Sequence, residues 1–74
     1  MQFKEIIERI KKENLLIKET FYTQKTLYEV VNKDLVMVFK ITNSQYKNIS
    51  KKFNIIIEKE NYNGFTKRYY KVIF

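Results

Sequence analysis

Cysteine, histidine, proline, alanine and tryptophan are all missing from this chain, and glycine occurs once. Each absence closes a route. Without cysteine there are no disulfides, no thiolate metal sites and no thiol redox chemistry. Without cysteine or histidine, the common nucleophile–base pairs and imidazole acid–base catalysis cannot be assembled. A lone glycine, Gly64, excludes a glycine-rich phosphate loop. The eight acidic residues are dispersed, with no D-x-D pattern to gather two metal ions. The longest apolar run, Leu35–Phe39, falls far short of the ~20 residues a membrane-spanning helix needs. These gaps predict a non-enzyme without cofactor or metal, soluble and cytoplasmic.

What remains is small and basic. Seventy-four residues are expected to form a single domain over 1–74. A domain of this size buries only about 60% of its unfolded surface, so its stability must come from tight packing or from a partner. The formal charge is +7, carried by 15 basic against 8 acidic residues. Lysine, isoleucine, asparagine, phenylalanine and tyrosine dominate while residues with GC-rich codons are scarce. An AT-rich gene accounts for some of that lysine, so the placement of the cations says more than their number.

Phe3, Ile6, Ile7 and Ile10 fall at i, i+3, i+4 and i+7, which predicts an amphipathic helix over residues 2–14 ending at Asn14. β-Branched and aromatic residues then predict strands near 15–22, 25–31 and 35–41, with Asn32-Lys33-Asp34 as a turn. Thr42 and Gln45 match a capping box and open a second helix, whose apolar side is Tyr46, Ile49 and Phe53. Strands near 54–60 and 65–73 close the chain through Asn63-Gly64, a pair that favours type I′ hairpins. The expected fold is α+β, in the order αβββαββ, with an antiparallel sheet of about five strands and both helices on one face. A winged helix-turn-helix is the alternative, since a helix followed by a hairpin fits its second half.

A two-residue loop at Asn63-Gly64 would pair Tyr62 with Phe65, Glu60 with Lys67 and Ile57 with Tyr70. The stretch from Leu35 through Ile57 lacks any acid, and within it Lys47, Lys51 and Lys52 lie on the second helix. The residues expected to contact nucleic acid are therefore Lys47, Lys51 and Lys52, extended by Lys67, Arg68, Tyr69 and Lys71 on the last strand. Lysine contacts to phosphate carry no base information, so low sequence specificity is expected.

The third strand is apolar on both faces, and such strands are normally covered on both. Tyr28, Val30, Val36 and Val38 are expected to form an uncovered patch that a homodimer would bury. The leading expectation is a small accessory nucleic-acid-binding protein. The alternative is a protein-binding inhibitor or adaptor of viral or mobile-element type, anti-CRISPR-like, acting on a host protein through the Tyr62/Phe65 tip and a strand edge.

Overall fold

The computed structural model describes residues 1–74. The elements run α1 (Phe3–Glu13), β1 (Leu16–Phe21), β2 (Thr26–Val31), β3 (Met37–Ile41), α2 (Asn43–Lys52), β4 (Asn54–Asn61) and β5 (Thr66–Ile73). All five strands join one antiparallel sheet in the spatial order β3-β2-β1-β5-β4. The α+β class and the αβββαββ order stand. The winged helix-turn-helix does not, because three strands separate the two helices.

Local chemistry sets the boundaries. Asn14 ends α1 in the left-handed conformation, φ 55°, which asparagine tolerates better than most residues. Thr42 starts α2 with both halves of a capping box: the Gln45 N–H donates to Thr42 Oγ1 at 3.1 Å, and the Thr42 N–H donates to Gln45 Oε1 at 2.8 Å. Asn32 organises the β2–β3 turn, its Oδ1 accepting from the Asp34 and Val36 amides.

Both helices cover the same face of the sheet. Ile6 and Ile10 of α1 and Ile49 of α2 meet Ile17, Val30, Ile41, Tyr70 and Val72 in one buried cluster. Ile6, Ile17, Ile49 and Val30 are wholly inaccessible, and full burial of each such side chain stabilises by about 1.5–3 kcal/mol.

The apolar patch expected from β2 and β3 is not there. Val30 is buried in the core and Tyr28 packs under α2, so both face the helices. The third strand solves its two-faced problem with a bulge. Val30 pairs with Phe39 but Val31 pairs with Met37, which leaves Val38 as an extra residue. Val38 and Phe39 thereby both pack against the core, while Val36 lies in the turn, 58% exposed. Strict alternation would have sent Val38 to the opposite face. With Tyr28 and Val30 inside, the surface assigned to a homodimer dissolves.

A second bulge reshapes the β4–β5 hairpin. Ile57 pairs with Tyr70 as the sequence predicts, but the next pair is Lys59 with Tyr69, so Glu58 is the extra residue. From there to the tip every pair shifts by one. Glu60 lies opposite Arg68, not Lys67, and Asn61 lies opposite Lys67. The connection is correspondingly longer than two residues. A type I′ turn needs positive φ at both central positions, and here Gly64 has it (φ 77°) while Asn63 does not. Asn61 supports the loop, its Oδ1 accepting from the Asn63 amide at 2.9 Å.

Candidate functional site

The two faces of the sheet differ in everything but their strands. On the helix-covered face, alternation along β1 brings Glu19 to the middle of the sheet, 5% exposed. It is held there by hydroxyls. Tyr28 donates to Oε2 at 2.7 Å and Tyr70 donates to Oε1 at 2.6 Å. Arg68 approaches Oε1 at 3.9 Å with its guanidinium over the Phe21 ring, 5.0 Å from the centroid. Tyr46 of α2 stacks on Tyr28 with 4.0 Å between ring centroids and meets Tyr70 at 5.9 Å. Burial raises the phenol pKa values of Tyr28, Tyr46 and Tyr70, and the bond to Glu19 raises Tyr28 and Tyr70 further. The hydrogen bonds tie β1 to β2 and β5, the Tyr46 ring contacts tie α2 to the sheet, and Arg68 Nε is buried without a hydrogen-bond partner.

The opposite face carries no helix. Alternation brings to it Leu16, Lys18 and Thr20 of β1, Leu27, Glu29 and Val31 of β2, Met37 and Lys40 of β3, Ile56 and Lys59 of β4, and Lys67, Tyr69, Lys71 and Ile73 of β5. The β1–β2 hairpin extends it: the Tyr22 amide donates to the Lys25 carbonyl at 2.8 Å, and Lys25 Nζ sits 5.9 Å from the Tyr22 ring centroid. Six lysines therefore share this face, namely 18, 25, 40, 59, 67 and 71. Two carboxylates oppose them. Glu29 is engaged by Lys18 at 3.6 Å, and Glu58 borders a shallow depression with Asn14, Leu16, Lys33 and Lys71.

The bulge at Glu58 sorts these charges. In an unbroken ladder Glu60 would share this face and Lys59 would lie on the other. The register shift exchanges them, placing Lys59 beside Tyr69 and Glu60 beside Arg68. The helix-free face gains a cation and loses an anion in one step.

The residues expected to contact nucleic acid fall on two sides of the molecule. Lys67, Tyr69 and Lys71 share the helix-free face, as placed by pairing of β5 with β1 and β4. Tyr69 is only 6% exposed, however, flanked by Lys18 and Lys59 across the strands, so its ring is closed to a ligand. Arg68 points the other way, to Glu19 and Phe21. Lys47, Lys51 and Lys52 ride on the solvent side of α2, whose Ile49 is in the core. The sheet and about 10 Å of helix separate them from Lys67 and Lys71. Lys52 Nζ lies 5.8 Å from the ring centroids of both Phe3 and Phe53. A single basic surface joining α2 and the last hairpin does not exist.

The aromatic tip is also rearranged. Phe65 does not pair with Tyr62; its ring lies 4.5 Å, centroid to centroid, from that of Tyr22, tilted by 53°. Tyr62 is left 65% exposed. Tyr22, Lys18, Lys25 and Lys40 escaped sequence reasoning, and Lys59, expected on the core side of the hairpin, lies on the opposite face beside Tyr69. The signal lay in strand order, since only the β1–β5 pairing puts Tyr22 beside Phe65. No helix is long and apolar enough to cross a membrane. Comparison with protein-family models, curated proteins and solved structures gives no significant match.

Proposed function

We propose that this protein binds nucleic acid without catalysis and with low sequence specificity, through the helix-free face of its sheet. One observation carries the reading: six lysines share that face with two glutamates, one of which is already paired. An open sheet face of such one-sided charge attracts polyanions and releases their counterions. The absence of arginine from it leaves phosphate contact without the bidentate base reading that arginine provides.

Salt dependence tests this directly. If about four to six phosphates are neutralised, log K against log salt should fall with a slope of about −4 to −5 on duplex and about −3 to −4 on single strands. Replacing Lys59, Lys67 and Lys71 together by Ala should flatten the slope by about 2–3. Lys47→Ala with Lys51→Ala, on the far side, should leave it nearly unchanged. The reverse ranking would move the interface to α2.

The runner-up is a protein-binding inhibitor or adaptor, favoured by the exposure of Tyr62 at the hairpin tip. Strand addition along β4 is a poor route for it, because that edge carries Glu58, Lys59, Glu60 and a bulge. A nuclease-resistant complex abolished by Tyr62→Ala would favour this reading.

A further inference from the structure

We infer that the nucleic acid is single-stranded, with one base stacking on the Tyr22–Phe65 pair and the adjoining backbone running along Lys67 towards Lys71; this rests on the helix-free face being the binding surface. The inference starts from which rings are available. Tyr69 is closed, at 6% exposed, so Tyr22 and Phe65 are the accessible aromatic platform on this side. Phe65 is 50% exposed although its ring already touches Tyr22 at a tilt of 53°, and Tyr22 is itself partly exposed. A pair serving only to close the end of the sheet would gain more by burying that surface.

Charge and direction agree with the choice. Lys25 lies 5.9 Å from the Tyr22 ring centroid on one side of the platform. On the other side, Lys67 and Lys71 share one face of β5, about 7 Å and about 20 Å along the chain direction from Phe65, which precedes the strand. Of the carboxylates on this face, Glu29 lines a depression with Tyr22 but is paired with Lys18 at 3.6 Å, and Glu58 lies near Lys71. A base seated on the rings therefore has cations on both sides for its flanking phosphates. In a duplex the base faces are already stacked on one another, so the platform gains nothing there. Sequence-tolerant stacking on aromatics combined with backbone-tracking lysines is a physical solution suited to single strands.

The test compares labelled oligothymidine of about 12 nucleotides, a duplex of the same length, and inorganic polyphosphate, which has charge without bases. The intact protein should bind the single strand at least about tenfold more tightly than the duplex. Phe65→Ala should weaken single-strand binding about 5- to 150-fold, without altering the salt slope or the affinity for polyphosphate. Phe65→Trp should retain binding, and its indole, the sole tryptophan in the chain, should be quenched by the single strand and not by polyphosphate. Equal affinity for duplex and single strand, or indifference to Phe65→Ala while the Lys59/Lys67/Lys71 variant still loses binding, would overturn the stacking inference and leave the lysine face standing. No binding to any of the three probes at low salt would overturn both.

Discussion

Two phenol hydroxyls converge on one carboxylate in the middle of the sheet, and this contact governs stability at the scale of single residues. Glu19 accepts from Tyr28 and Tyr70. Removing the acceptor leaves two partly enclosed hydroxyls unpaired, so Glu19→Ala should cost about 2–4 kcal/mol. Tyr70→Phe should cost less, about 1–2 kcal/mol. A domain of this length has only about 4–11 kcal/mol to lose, and urea denaturation will rank the two. The same phenols predict behaviour in base. Their folded pKa values are raised above the ordinary value near 10. Their stabilisation is therefore whole below pH ~10 and is lost as pH rises through the folded values. Of the six tyrosines, Tyr28, Tyr46 and Tyr70 should ionise only with unfolding. Tyrosinate absorbance followed beside circular dichroism checks this, and early, non-cooperative ionisation of all six would contradict it. None of it was legible in the sequence. Lys18-Glu19-Thr20 reads as ordinary polar strand, and the partners of Glu19 lie 9 and 51 residues away.

At the scale of elements, the ends of helices were readable because their chemistry is local. Thr42 and Gln45 are three residues apart and satisfy each other. Thr42→Ala should cost about 1 kcal/mol, seen as a drop in denaturation midpoint without a change in slope. Strand boundaries were readable for a similar reason, since apolar runs and turn residues sit side by side. The bulges were not. Counting alternate residues assumes an unbroken ladder, and neither Val38 nor Glu58 differs in type from its neighbours in a way that marks an extra residue. At Val38 the shift lets Val38 and Phe39 both pack against the core; at Glu58 it sets Glu60 opposite Arg68 and Lys59 opposite Tyr69. The Asn63-Gly64 turn failed with the same error, because its expected geometry presupposed the register that Glu58 breaks.

Across the whole molecule, sidedness is the property that matters. One side of the sheet is closed by two helices and the other is open and cationic. Sequence reasoning found the closed side, whose residues repeat with helix and strand periods. The open side is assembled from five strands in an order the sequence does not announce, which is why Lys18 and Lys40 escaped notice, while the bulge at Glu58 moved Lys59 there from its expected place on the core side. Small size makes the binding proposal easy to measure. A ligand at about 100 times its Kd adds about 2.7 kcal/mol to stability. In a domain of this length that corresponds to a rise in Tm of about 10–20 °C. Single-stranded oligonucleotide at low salt should produce such a rise, and high salt should erase it. An unmoved Tm at saturating concentration would count against nucleic acid as the partner.

The bulge at Glu58 also bears on how the gene for this protein can change. Most single-codon deletions within a strand turn every side chain beyond them to the opposite face. Loss of codon 58 is different. It removes the one residue without a partner, straightens the ladder, and leaves Lys59, Glu60 and Asn61 opposite Tyr69, Arg68 and Lys67 as before. An insertion and deletion scan across β4 should therefore find one tolerated gap, at 58. Inheritance of the face would then depend less on which letters are conserved there than on how many.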